Sequence, residues 1–169
     1  MKKISIFLMI ITSLFLVTGC DSKKEENNKE ENKNVEQTNK TENVEGTLED
    51  LMTKVYEDIP EEERPMMLMN TEVNDKNVEY YLGTTEIEYE EALASESGVG
   101  SIPHSVVLVR VKENANVEEI KKTIKDSVNP RKWICVEAEE VVVESRGDLI
   151  ILIMASSNVD KLQDGFNNL

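Results

Sequence analysis

The chain of 169 residues contains one histidine, two cysteines and little positive charge, and each scarcity removes a class of function. With His104 alone, zinc chemistry built on three histidines is excluded. Cys20 and Cys135 are the only thiols, so no disulfide can form within the chain if Cys20 is engaged elsewhere. Lys and Arg together number 19 against 34 Asp and Glu, a net charge of −15. Nucleic acid and an anionic bilayer surface are themselves polyanions, and such a chain has no electrostatic reason to approach either. The acidic clusters Glu61-Glu62-Glu63, Glu88-Glu90-Glu91 and Glu137-Glu139-Glu140 lack the spacing of an EF-hand loop and read as solvated faces. No internal repeat and no catalytic signature is present. No residues are therefore assigned to catalysis, to a cofactor or to a metal.

A long apolar run is also missing. The longest, Ile4 to Val17, has 14 residues broken by Ser5, Thr12 and Ser13. As a helix it would span about 21 Å, short of the roughly 20 residues that a stable membrane crossing takes. Lys2 and Lys3 precede it, and Val17-Thr18-Gly19-Cys20 follows. A positive start, a short apolar middle and small residues at the end are the three parts of an export signal. The last four residues resemble the lipobox of bacterial lipoproteins. That resemblance implies a diacylglyceryl group on the Cys20 sulfur, cleavage after Gly19, and a mature protein acylated (palmitate-type chains) at its new N-terminus. Two or more acyl chains hold a protein firmly to a bilayer, where one holds it marginally. Loss of residues 1–19 would remove Lys2 and Lys3 and no acid, leaving the remainder two units more negative.

After the signal, residues 20–46 are expected to form the lipidated cysteine and a disordered tether. Asn, Glu, Lys, Gln and Thr dominate this stretch, with Val35 and Val44 its only sizeable apolar residues. Too little surface can be buried to offset the entropy of ordering. A linker of this length reaches roughly 25–30 Å on average, within a limit near about 90 Å.

Residues 47–169 are expected to form a single domain. Thr47 has the character of an N-cap, with Asp50 three positions on. Leu48, Leu51, Met52, Val55, Tyr56 and Ile59 follow at helical spacing until Pro60. Pro65 to Met69 suggests a turn or short helix, and Val78 to Leu82 one more helical turn before Gly83. From Glu86 to Leu93 the period changes to two, with Ile87, Tyr89 and Leu93 on one face and glutamates on the other. Ser105 to Lys112 is apolar on both faces at its start, as in an inner strand. Pairing of these strands would set Arg110 and Lys112 opposite the glutamates. Asn116 and Glu119 form a capping box for a helix whose stripe is Val117, Ile120, Ile124 and Val128, stopped at Asn129-Pro130. Trp133 to Val136 is a short apolar element of strand character, which would bury Cys135 as a small filler. Val141 to Ser145 and Leu149 to Met154 flank the turn Arg146-Gly147-Asp148, and a last helix carries Val159, Leu162 and Phe166. The expected fold is α+β: an antiparallel sheet of about four strands in the order α-β-β-α-β-β-α, with helices packed mainly on one face.

The stretch Asn77-Val78-Glu79-Tyr80-Tyr81, the run Val107-Leu108-Val109-Arg110-Val111-Lys112, the helix at 116–128 and Gly147-Asp148-Leu149-Ile150-Ile151-Leu152-Ile153 together resemble a family of small Gram-positive lipoproteins built on a domain of unknown function. The likeness covers most of 60–169. It implies the location, the α+β domain and a role in the cell envelope, and brings no activity with it.

Several residues invite a functional reading. Arg146-Gly147-Asp148 has the form of an integrin ligand, although Gly and Asp are also what a tight turn requires. The thioethers of Met66-Met67-Leu68-Met69 are of the type that binds Cu(I), but consecutive side chains diverge, so a flexible apolar contact fits better. His104 stands at the mouth of a strand with no nucleophile beside it. Loops of Gly and Ser often carry binding function, which makes the stretch with Ser95, Gly98, Gly100, Pro103 and His104 a candidate contact loop. The resulting expectation is a membrane-tethered, non-enzymatic protein-binding module contacting an unidentified protein through an exposed sheet face and this loop. Two alternatives remain open at this stage: a small hydrolase using Glu88 and Glu90, which would lie about 7 Å apart along one strand face, and a ligand-binding lipoprotein.

Overall fold

The computed structural model describes residues 43–169. The expected export signal with Lys2 and Lys3, the expected lipobox at Cys20, and the part of the expected tether through residue 42 lie outside the described residues. Four helices and five strands follow in chain order: α1 (Leu48–Val55), β1 (Leu68–Glu72), α2 (Val78–Leu82), β2 (Glu91–Ser97), β3 (His104–Arg110), α3 (Val117–Ser127), β4 (Glu140–Arg146), β5 (Leu149–Ala155) and α4 (Val159–Asn167). The strands form one antiparallel sheet in the order β1-β2-β3-β5-β4. The α+β antiparallel fold is as expected, with one strand more than anticipated.

The helices lie on both faces of the sheet rather than mainly on one. Every residue of β5 is buried, and β3 is buried from His104 through Val109. Strands apolar on both sides must be covered on both sides. Leu93, Val106, Leu108, Ile151 and Ile153 pack beneath α1 and α4. Ala94, Val107, Val109, Ile150, Leu152 and Met154 pack on the opposite side against α2 and α3. The caps behave as the sequence predicts. Thr47 Oγ1 accepts from the Asp50 N–H at 3.2 Å and Asn116 Oδ1 from the Glu119 N–H at 3.2 Å.

Three local expectations are corrected. Residues 65–69, expected as a turn or short helix, are divided: Leu68 and Met69 belong to the edge strand β1, which pairs with β2 over Leu68↔Ser97 to Glu72↔Leu93. The strand expected over 86–93 starts at Glu91 and continues through Ser97. Ile87 and Tyr89 accordingly belong to the α2/α3 side while Leu93 packs under α1. Trp133 to Val136 is a turn: Cys135 is exposed with φ 63°, so it is no buried filler. The expected ion pairs are present, Arg110 with Glu91 across β3 and β2, and Lys112 with Glu88 just beyond the ends of those strands.

Residues 44–46, expected as the end of the tether, are held on the domain. The Val44 N–H donates to Asp148 Oδ1 at 2.8 Å, and the Arg110 guanidinium donates to the Val44 and Gly46 carbonyls at 3.0 and 2.9 Å. Arg110 and Asp148 also pair with each other. The chain thus enters the domain at the end of the sheet where β3 stops and β5 starts. No helix among the described residues is long and apolar enough to cross a membrane.

Candidate functional site

The other end of the sheet, about 20 Å away along a seven-residue strand, carries the connection between β2 and β3. Of the expected contact loop, Ser95 lies within β2 and His104 begins β3, both buried. The loop proper is 98–103, where Gly98 and Gly100 are exposed and Pro103 is half-buried. Its shape is set by short-range bonds. The Gly98 N–H donates to the Met67 carbonyl at 2.9 Å, the Ser97 hydroxyl donates to the Met66 carbonyl at 2.8 Å, and the Ile134 N–H donates to the Gly100 carbonyl at 3.1 Å. These bonds tie three separate chain segments together.

They also gather apolar side chains in solvent. Among the described residues, Met66, Met67, Met69, Tyr80 and Ile134 are the large hydrophobics left exposed, from 50% for Tyr80 to 74% for Ile134. The Met69 side chain lies over Gly98, and Ile134 lies against Gly100. Met67, within this group, and Cys135, next to Ile134, are two of the non-glycine residues with left-handed backbone. That conformation is unfavourable for an L-residue and recurs where function constrains the chain.

Beneath the patch sits a charged knot that the sequence reading missed. Lys132 has a side chain only 5% exposed, yet its Nζ donates to Glu96 Oε2 at 2.7 Å and Ser105 Oγ at 3.1 Å. The rings of Tyr80, Tyr81 and Trp133 surround the ammonium at 4.3, 4.9 and 5.2 Å, within cation–π range. The Tyr80 hydroxyl donates to Glu96 Oε1 at 2.7 Å. Burial lowers the Lys132 pKa, and Glu96 opposes that shift. Burial, then Glu96, raises that of Tyr80. The signal available in the sequence was Glu96 itself. Once β2 runs to Ser97, Glu96 falls on the same face as buried Ala92 and Ala94, and a carboxylate there needs a cation.

On the other face, His104 Nε2 lies 2.6 Å from the Tyr56 hydroxyl. A neutral imidazole accepting that bond carries its proton on Nδ1, which has no partner among the described residues. Burial lowers the His104 pKa to about 4, against a smaller opposing effect of Glu96. Its hydrogen-bond partner is a tyrosine, not a serine or cysteine nucleophile.

No family model, curated protein or solved structure matches the chain.

The remaining candidates separate. Asp148 is buried, and its carboxylate is occupied by Arg110 and the Val44 N–H. The Arg146-Gly147-Asp148 turn therefore does not present its acid to a partner, and Gly147 has the positive φ the turn requires. Glu88 and Glu90 are both exposed and lie before β2 rather than on a strand. They line, with Asn74, Lys76 and Tyr89, a wide-mouthed depression of about 630 Å³. Among the described residues no three of His, Cys, Asp and Glu are grouped to hold a metal ion. The sheet is covered on both sides over β3 and β5, whereas β1 is exposed from Met69 through Glu72.

Proposed function

We propose that this chain is a lipoprotein of the cell envelope, held to the membrane through lipid on Cys20 and facing the extracytoplasmic side, whose domain is a protein-binding module. The observation that carries the binding reading is the set of exposed apolar side chains around the 98–103 loop, with Met69 over Gly98, Ile134 against Gly100 and Tyr80 on the Lys132 ammonium. Apolar groups gathered in solvent mark interaction sites, and methionine adapts well to a partner's surface. The buried Lys132–Glu96 knot supports the same reading, because it gives the patch a firm floor. The position is apt as well: the patch is at the opposite end of the sheet from Val44, where the tether would arrive. The hydrolase alternative is weaker, since exposed Glu88 is paired with Lys112 and acid catalysis calls for a desolvated carboxyl. A ligand-binding lipoprotein would call for a more enclosed cavity than the open depression beside Glu88.

The test has two arms in intact cells. Photo-crosslinkers placed at Met67 and Ile134 should capture a protein that a crosslinker at Lys122, on the exposed side of α3, does not. Equal capture from all positions would remove the patch from the reading. Separately, Cys20→Ser should move the protein from the membrane to the soluble fraction and abolish palmitate labelling. Retention on membranes would refute the anchor.

A further inference from the structure

We infer that the partner is captured by strand addition. The free edge of β1 takes an extended segment with apolar residues at alternate positions, flanked by lysine or arginine. This inference rests on the protein-binding reading and names the chemistry of its partner.

The backbone of β1 carries the argument. The Val73 N–H donates to the Ala92 carbonyl, and the Met67 carbonyl accepts from Gly98. In an antiparallel pair the main-chain groups of alternate residues turn toward the neighbour. Residues 67, 69, 71 and 73 therefore face β2, and those of 68, 70 and 72 face outward. Asn77 Nδ2 occupies the Glu72 carbonyl at 2.9 Å. The outward N–H and C=O of Leu68 and Asn70 have no partner among the described residues.

The two edges of the sheet differ in how they are guarded. β4, the far edge, bears Glu140, Glu144 and Arg146. The latter two are engaged by α4, with Gln163 donating to Glu144 at 2.8 Å and Arg146 bonded to the Asn167 carbonyl. β1 reads Leu-Met-Asn-Thr-Glu, with no lysine, no proline and no bulge. Natural edges left without such protection are templates for another strand. A segment laid against Leu68 and Asn70 would gain main-chain bonds, and its alternate side chains would meet Met67 and Met69 on one face.

Charge selects the occupant. Between residues 61 and 79 the cations are Arg64 and Lys76, against Glu61, Glu62, Glu63, Glu72, Asp75 and Glu79. Arg64 is also turned inward, donating to the Ile59 and Tyr56 carbonyls at 2.8 Å each. A second copy would bring the same carboxylates and a second strongly negative net charge to the contact. A segment with basic flanks meets a complementary field.

The probe is a synthetic peptide of alternating valine and threonine with lysines at both ends, added to the full chain in neutral detergent. Its counterpart has the same core with glutamates at the ends. Amide hydrogen exchange is read by NMR. At a peptide concentration about ten times its Kd, exchange at Leu68 and Asn70 should slow by about ten-fold, while amides of β4 are unchanged. Asn70→Pro should abolish the effect, and it removes an N–H that points away from β2, so the β1–β2 ladder keeps its bonds. Met69→Lys, at an exposed side chain, should weaken binding of the basic peptide by an independent route. Equal protection by the acidic peptide overturns the charge argument. Protection that grows with protein concentration alone would make a second copy the occupant and overturn the proposal. No protection at Leu68 and Asn70, with crosslinking still captured from Met67 in cells, would overturn strand addition while leaving the protein-binding reading intact.

Discussion

A lysine ammonium buried as deeply as that of Lys132 is stable only while Glu96 accepts from it and three aromatic rings face it. Removing one member of such a pair leaves the other charge buried and alone. Lys132→Met should therefore destabilise the fold by roughly 3–5 kcal/mol in urea unfolding. Adding Glu96→Gln should restore part of that loss, and a double change that costs the full sum would show the two do not couple. His104 poses the opposite problem, a neutral ring that burial keeps neutral. Its folded pKa, about 4, is below the ordinary 6.5, so between those values the unfolded chain takes up the proton and the folded one resists it. Stability contributed by this group is complete above about pH 6.5 and is lost as pH falls toward 4. The loss reaches roughly 3 kcal/mol. Unfolding free energies measured from pH 7 to 4 should show that slope, and His104→Gln should flatten it. The position of His104 at the start of a strand was legible from Pro103 and the apolar run after it. Its bond to Tyr56 was not, because 48 residues separate them.

Among the elements, those with a strong local period were readable and those defined by a neighbour were not. α1 and α3 each combine a cap with an apolar stripe, and α4 shows the stripe alone, so the sequence suffices for them. β1 has no alternation to show. Its residues become a strand because β2 offers a ladder, and β2 itself extends to Ser97 because β3 lies on its other side. The side chosen by each helix is likewise tertiary. β5 announces two buried faces by having no polar residue at all, but nothing local says which helix covers which. One glycine makes the close approach of α1 and α4 possible. A Cβ at Gly165 would stand 2.4 Å from the Val55 carbonyl oxygen. Gly165→Ala should accordingly cost about 1–3 kcal/mol despite its better helix propensity, since the two backbones must separate. Thermal unfolding measures this, and a variant as stable as the parent would place the crossing of α1 and α4 further apart.

For the whole molecule, the way residues 44–46 enter the domain is decided by Arg110 and Asp148. These residues belong to β3 and the β4–β5 turn, yet together they bind Val44 and Gly46. Asp148→Asn should release that segment, raising the rate of proteolytic cleavage before Leu48 by roughly ten-fold or more. Amides in the centre of the sheet should keep their exchange protection, and unchanged cleavage would show that the clamp does not hold the entering chain. The export signal and the lipidated Cys20 proposed here are linear features, read by enzymes that meet an extended chain, so sequence by itself was enough to infer them. Sequence also determined the α+β class, the caps and the apolar strands β3 and β5, because periodicity and capping act over a few residues. The tertiary structure alone decided that Ser95 and His104 are buried rather than on a contact loop, that Cys135 is exposed, that Lys132 is caged, and that exposed Met69 and Ile134 lie against Gly98 and Gly100. Each of these depends on which distant segments are brought side by side. That is settled by packing two helical layers on one sheet, and no local pattern encodes it.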